Sequence, residues 1–343
     1  MDLMRALVLR DFGDLVLTEL PKPVPRAGEV RVRVTATGIC GSDLHGYTGE
    51  NGRRSPGQIM GHETYGVIDA VGDSGAVSGL PIGAAVAMNP VVACGVCASC
   101  AQGWQQHCAV KQVIGVNKEL PGSFAEYVVM PARNAVRIAE GLPEGYGSLI
   151  EPLAVGYHAV ARAGLSAADR LLVLGGGPIG QAVILSARRA GVSEIVVSET
   201  DRGRRDLCRR LGGVPVDPSD GELAGQVSEI FGSATAAIDA VGVSATVRDA
   251  LTATSLGARV VLVGMGSITL DVGAFDVSVG ERNLIGSFTY TAAEFGQVAD
   301  WVSGQPDDLG YLLASPASLA SGPDAFRAMA DGDISAGKVP LFS

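Results

Sequence analysis

No run of apolar residues approaches the roughly 20 needed to cross a bilayer. The opening stretch, Arg5 to Arg10, meets Asp11 before any cleavage-like segment appears. Membrane spans and secretion are therefore both disfavoured. Basic charge is short as well: 26 Lys and Arg stand against 36 Asp and Glu, a net charge of −10. Without a polycationic footprint for phosphate backbones, nucleic acid is a poor partner. Internal repeats and low-complexity segments are lacking too. Cysteine is sparse outside one window, five of the six lying between Cys40 and Cys108. Glycine, by contrast, is plentiful: 47 of 343 residues, about twice the usual ~7% share. With no collagen period, that points to tight turns and to backbone passing close to a ligand. Apolar residues at 47% suffice for a substantial core in one or two domains. The composition suits a soluble α/β enzyme of the cytoplasm.

Four cysteines, Cys94, Cys97, Cys100 and Cys108, form one C-x2-C-x2-C-x7-C run. Thiolates two residues apart on a turning backbone converge on a tetrahedral zinc ion at about 2.3 Å, and Gly95 and Gly103 let the loop wrap around it. Disulfide pairing is the alternative, but it suits neither a reducing compartment nor such close spacing. Four thiolates close the coordination sphere, so this metal stabilises a lobe and performs no chemistry.

Cys40 stands apart, in Gly38-Ile39-Cys40-Gly41-Ser42-Asp43-Leu44-His45, just after the alternating strand Val30, Val32, Val34. His62 and Glu63 follow 22 residues on, and Glu151-Pro152 much later. A thiolate, an imidazole and carboxylates from three turns match a zinc site with an open position, as catalysis requires. Taken alone, Cys40 is equally a small buried hydrophobe and His62 a hydrogen-bonded core residue.

From Leu171 a buried strand runs into Gly175-Gly176-Gly177-Pro178-Ile179-Gly180 and then an apolar helix. In this G-x-G-x-x-G, Gly175 permits a tight turn, Gly177 lets backbone N–H groups approach a pyrophosphate, and Gly180 lets helix pack on strand. The helix N-terminus, with Pro178 and Ile179, faces the anion. A second strand, Glu194 to Ser198, ends at Glu199, nineteen residues after Gly180, close to where an acid bonds the adenosine ribose. That carboxylate favours NAD over NADP, although Arg202 and Arg204 follow at once. For Arg204 a ribose or phosphate contact and a solvated helix start weigh equally. Further strands at Val214–Val216, Ala236–Ala240, Arg259–Val263 and Asn283–Gly286 complete a parallel sheet of six. Gly264 and Gly266 follow the fifth strand, where they either flank the nicotinamide or are ordinary turn glycines.

Residues 1 to about 150 contain short strands with turns, and helical periodicity is sustained only after Glu151. The expected organisation is a β-rich first domain carrying both metal motifs and a doubly wound second domain carrying the glycine loop, with a ligand cleft between them. The tail, with helical stretches at Glu294–Trp301 and Pro323–Ala330, is expected to return to the first domain.

These residues together resemble the zinc-dependent medium-chain alcohol dehydrogenase family over essentially the whole chain. The matching motifs are GICGSDLH at 38–45, GHE at 61–63, the four-cysteine lobe, EPLAVGYHA at 151–159, GGGPIG at 175–180 and DAVG, containing Val241, at 239–242. The resemblance implies a GroES-like catalytic domain over 1–151 and 288–343, and a Rossmann domain with a six-stranded parallel sheet over 152–287. It implies two zinc ions per chain, one catalytic and one structural, and NAD. It makes Cys40 and His62 ligands of the catalytic zinc. Glu63 and Glu151 compete for the next place, one coordinating while the other holds the water on the metal. Ser42 takes the alcohol proton and His45 passes it onward, while Asp43 orients His62 or caps a turn. Lys338 aligns loosely with a basic position near the cofactor phosphates, and Val241, Gly264 and Gly266 with cofactor contacts.

The implied reaction is hydride transfer between a secondary alcohol, diol or polyol and NAD, reversible as ketone reduction. Its partner is a small alcohol or ketone, and the protein a homodimer or homotetramer. Sorbitol-dehydrogenase-like members carry Arg-Tyr after the last Rossmann strand, where Thr289-Tyr290 stands here. That leaves a simple secondary alcohol, a vicinal diol or a threonine-like amino alcohol as substrates. Tyr47 to Gln58 forms a loop near the zinc, in which Arg53 and Arg54 are expected to be solvated. His107, His158 and Cys208 are expected to be surface, packing and helix residues. Two other classes fit the fold: a zinc-independent quinone or enoyl reductase, and a non-catalytic NAD-binding sensor.

Overall fold

A computed structural model describes residues 2–50, 52–72, 79–333 and 336–343. The chain divides into two compact units: Met1–Glu151 with Tyr290–Ile334 and Lys338–Ser343, and Pro152–Thr289 with Ser335–Gly337. Among the described residues no helix is long and apolar enough to cross a membrane.

The first unit is built on strand Glu29–Gly38, whose Val30, Val32 and Val34 alternate into the core with Ile68, Val86, Met88, Val128 and Met130. Period-2 burial of β-branched residues keeps this strand in one register, because a slip of one residue would turn the valines to solvent. It pairs antiparallel with Glu63–Val71 on one side and with Tyr127–Pro131 and Pro340–Phe342 on the other. The C-terminal strand therefore lies against Ala36–Gly38, immediately before Cys40, and pairing with Glu63–Val71 puts Glu63 opposite Gly38. That register gathers Cys40, Glu63 and the tail at one end of the sheet.

Behind Cys40 the chain forms a helix, Gly41–Thr48, that glycines 41 and 46 concealed in the sequence. Asp43 accepts from the Cys40 amide at its start, and Gly49, at φ +83°, stops it. Left-handed backbone of that kind suits glycine. Tyr47 packs on Phe326 of the tail helix Gly322–Ala330.

The second unit is a parallel sheet in the order Val214–Val216, Glu194–Ser198, Arg170–Leu174, Ala234–Asp239, Thr254–Leu262, Asn283–Gly286. All six expected strands are present. The order reverses between Arg170–Leu174 and Ala234–Asp239, and open α/β sheets bind ligands at the carboxyl ends of strands flanking such a point. Gly175 and Val241 follow those two ends. This unit continues two residues past the expected boundary at 287. The Ser287 amide still bonds Leu262 O at 2.9 Å, whereas Tyr290 is anchored in the first unit through Gln105 and Glu151.

Asp169 pins the start of this sheet. It accepts from the Ser166 amide and Thr235 Oγ1, each at 2.8 Å, and pairs with Arg259. Burial opposes its ionisation, but Thr235, the Ser166 amide and Arg259 outweigh it and hold the carboxyl below its ordinary pKa. Asp169→Ala is expected to cost roughly 2 kcal/mol at neutral pH in urea unfolding. A depressed pKa contributes stability above the unfolded value of about 3.9 and loses it as pH falls through the folded value. The difference between variant and wild type should therefore shrink below about pH 4.

Candidate active site and metal centres

Cys40, at the N-cap of Gly41–Thr48, meets His62 and Glu63 from the start of the neighbouring strand, with one ligand atom from each lying within 4.8 Å of the others. Glu63 is fully buried: Oε1 accepts from Lys338 Nζ at 2.7 Å, while Oε2 has no hydrogen-bond partner. A buried carboxylate oxygen left unpaired is costly, and a metal ion beside the thiol and imidazole would satisfy it. The sulfur, nitrogen and oxygen donors are those zinc takes, and three protein ligands leave the open position of a catalytic site. Gly38 makes room, since a Cβ there would collide with Glu63 Oε2 and press on Lys338.

Asp43 ties this cluster together. It is fully buried, lies 3.4 Å from His62 Nδ1 and accepts from the Cys40 amide at 3.4 Å and from Arg54 Nη2 at 2.9 Å. A carboxylate behind a ligating imidazole fixes the ring and leaves the other nitrogen for the metal. Burial opposes charge on Asp43, but His62 and Arg54 outweigh it and bring its pKa down to about 2. Burial likewise opposes protonation of His62, yet Asp43 and Cys40 drive its pKa well above the ordinary value.

The second cluster is Cys94, Cys97, Cys100 and Cys108, again with ligand atoms within 4.8 Å of one another. None of the six cysteines is in a disulfide. Backbone N–H groups of Val96 and Cys97 lower the Cys94 pKa to about 6, whereas desolvation raises that of Cys100 to about 11.

In the second unit, Gly175 sits at φ +90°, and a Cβ on Gly180 would run into Gly175 O. Gly177 is different: a Cβ there would meet nothing nearer than Arg204 Nη1 at 3.8 Å. Packing among the described residues does not demand that glycine, and a glycine here would let a ligand come close to the loop. Gly177 caps the helix Pro178–Arg189 without a side-chain cap, and a helix N-terminus of this kind suits an anion.

Residues 26–140 match the alcohol dehydrogenase GroES-like domain family, and residues 178–304 the zinc-binding dehydrogenase family. The 2-dehydro-3-deoxy-L-galactonate 5-dehydrogenase of Pseudoalteromonas atlantica is 33% identical over 312 residues, 90% of each chain. The chain belongs to the zinc-binding medium-chain alcohol dehydrogenases. Two solved structures share its fold over the full length of both chains. An Escherichia coli alcohol dehydrogenase complexed with NADH superimposes with a TM-score of 0.91 at 31% identity. A zinc-binding dehydrogenase of Sinorhizobium meliloti bound to NADP does so with 0.88 at 29%. The protein is accordingly an oxidoreductase acting on CH–OH donors, of a zinc-binding and nicotinamide-dependent family.

Arg54 and Lys338 of the dehydrogenase depart from what the sequence suggested, whereas Glu151 takes one of the two places left open for it. Glu151, at the start of helix Ile150–Ala163, is not among the clustered donors; its Oε1 accepts from Tyr290 OH at 3.0 Å. Burial and the neighbouring Glu63 push the Glu151 pKa up to about 7 against the pull of His62, Tyr290 and Lys338. Lys338 does not serve cofactor phosphates: it is buried against Glu63 and Ile39 O, at 2.7 and 3.1 Å. Arg54 is not solvated: it is 3% exposed, whereas Arg53 is exposed. Glu199 accepts from the Gly176 amide at 2.7 Å and the Asp201 amide at 2.8 Å, so its carboxylate braces the glycine loop from below. Gly264 and Gly266 are required by contact of their backbone with Val241–Gly242, where a Cβ would not fit.

Ser42 and His45 lie three residues apart on one helix, hence on one face. His45 is exposed, with Nδ1 2.9 Å from Glu50 Oε2. His107 is exposed, His158 buried in its helix, and Cys208 buried beneath Gly176. The roles of Arg54, Lys338 and Tyr290 carry no local signature in the sequence. Each is assigned by a partner 11 to 275 residues away.

Proposed function

We propose that this dehydrogenase oxidises a secondary hydroxyl of a polyol or sugar acid to the ketone with NAD, using a zinc held by Cys40, His62 and Glu63 and a second, structural zinc in the four-cysteine lobe. The convergence of those three donors around the unpaired Glu63 Oε2 carries the reading. Zinc in such a site supplies a Lewis acid that makes a bound hydroxyl acidic. Ser42 accepts the hydroxyl proton, and His45, oriented by Glu50, passes it to solvent. A nicotinamide held by the second unit would supply the hydride acceptor, so that one alcohol and NAD would give one ketone, NADH and a proton. Tyr290 donates to Glu151, which stands outside the cluster of Cys40, His62 and Glu63, and this supports Glu63 as the carboxylate that would hold the ion and Glu151 as the one that would hold its water. In the second unit the 175–180 loop would hold the pyrophosphate, with Val241, Gly264 and Gly266 as further cofactor contacts, and the Glu199 charge would disfavour a 2′-phosphate.

A sugar-acid or polyol substrate draws support from the Pseudoalteromonas relative, which is named for a sugar acid. The zinc-independent reductase alternative leaves the clustered thiol, imidazole and carboxylate without a purpose. We place the protein in the cytoplasm, where six free cysteines persist. A homo-oligomer fits the edge strand Asn283–Gly286, which leaves Leu284 exposed near exposed Phe275 and Val279 in sequence. The test is a panel of polyols, aldonates and simple secondary alcohols with NAD and NADP in parallel, alongside metal analysis. Two zinc ions per chain and faster NADH formation with polyhydroxy substrates are expected. A single zinc, or turnover without alcohol dependence, would sink the proposal.

A further inference from the structure

Arg54 sits where an arginine weakens the fold unless it has a task. Its guanidinium is buried, and among the described residues only Nη2 of its three nitrogens has a partner: Asp43 Oδ1 at 2.9 Å, with Ser42 Oγ at 3.5 Å. Nε and Nη1 are buried and unpaired, and unpaired buried donors are destabilising. The aliphatic stem lies against Gly46, where a Cβ would collide with Arg54 Cγ. Glycine in the interior of a helix also weakens it. Two unfavourable features thus coincide, and what they secure is a single contact, Arg54 to Asp43.

Asp43 is the residue that reaches both the His62 ring and the Cys40 amide. Without Arg54 its carboxylate would have only a long contact to each, and nothing would fix its rotation. Building on the zinc reading above, we infer that Arg54 is a positioning residue of the catalytic metal site. It locks Asp43 so that the His62 ring and the Cys40 turn are held ready for the ion. Nη2 also donates to Ser42 Oγ at 3.5 Å. The loop that delivers Arg54 is tied down by Gln58, whose Nε2 bonds Gly115 O and Val116 O at 3.2 and 2.9 Å. The loop in which Arg54 is expected from the sequence to be solvated is, at Arg54, part of the metal site's scaffold.

The experiment compares wild type, Arg54→Met, Arg54→Lys and the double variant Asp43→Asn/Arg54→Met as full-length holoenzymes. The readouts are zinc content under chelator competition, thermal stability and steady-state kinetics. Outer-sphere partners of metal ligands typically change metal affinity by about 10- to 100-fold. Arg54→Met is expected to surrender one zinc about 10- to 100-fold more readily, to keep the four-cysteine zinc, and to lose kcat with the KM for NAD unchanged. Arg54→Lys should recover part of the zinc affinity. The double variant leaves no buried charge alone, so it should regain thermal stability while its zinc affinity stays low. It also answers the question if Arg54→Met fails to fold. Wild-type zinc affinity in Arg54→Met or in the double variant would overturn the role of Arg54 alone. A wild type that holds only the four-cysteine zinc would overturn the metal reading and this inference with it.

Discussion

Cys40→Ala is expected to lower kcat by about three orders of magnitude or more, while leaving NADH binding, followed by fluorescence titration, within about twofold of wild type. The magnitude follows from the several kcal/mol of charge stabilisation that a Lewis acid supplies to a developing oxyanion, each 1.4 kcal/mol being about tenfold in rate. The separation of the two effects follows from chain organisation. Cys40, His62 and Glu63 belong to the first unit, whereas the glycine loop and its helix belong to the second. Removing the thiolate leaves, among the described residues, two clustered donors, His62 and Glu63, too few to retain zinc in a three-ligand site. Metal analysis should show the loss of one zinc and the retention of the other. A Cys40→Ala enzyme with near-normal turnover would refute the catalytic assignment.

Cys108→Ser should produce the largest loss of stability. Cys108 is fully buried, and its Sγ lies 3.5 Å from the Cys94 amide at the centre of the lobe. A serine of similar size cannot supply the soft anionic donor, and structural zinc carries folding free energy outright. Loss of a few kcal/mol in a domain of this size corresponds to a fall in Tm of about 10 °C, and zinc content should drop by one per chain. Activity should fall too, although none of the four cysteines belongs to the catalytic cluster. Gln105, between Cys100 and Cys108, donates to Tyr290 O at 3.2 Å, and Tyr290 OH donates to Glu151. Wild-type zinc should also leave this lobe for a chelator more readily as the pH falls. The ligands must be thiolates, and protons compete with the metal for them as the pH falls. Unchanged Tm and zinc content in Cys108→Ser would exclude a structural metal.

The metal motifs and the glycine loop were legible because their chemistry is local. Four thiols at C-x2-C-x2-C-x7-C spacing and a G-x-G-x-x-G between strand and helix each form within one turn of chain. The helix Gly41–Thr48 was not legible, because glycines 41 and 46 depress its propensity and its stability comes from Tyr47 packing on Phe326, far along the sequence. Thr289 illustrates a further limit. Its identity is plain in the sequence, but its φ of +50° and its buried Oγ1, unpartnered among the described residues, belong to the path of the folded chain. For a β-branched residue such a backbone angle is strained.

By itself the sequence determined which donors exist, that they suit zinc and a dinucleotide, and that strands of period two precede a doubly wound sheet. Hydrophobic alternation and short-range spacing are written into neighbouring residues and need no fold to be read. Only the tertiary structure decided which carboxylate stands with Cys40 and His62, that Lys338 neutralises Glu63, and that Arg54 is buried on Asp43. Those choices depend on the pairing of Glu29–Gly38 with Glu63–Val71 and Pro340–Phe342, contacts between segments up to about 300 residues apart. Burial makes each of those charges require a partner, and strand register selects which partner is within reach.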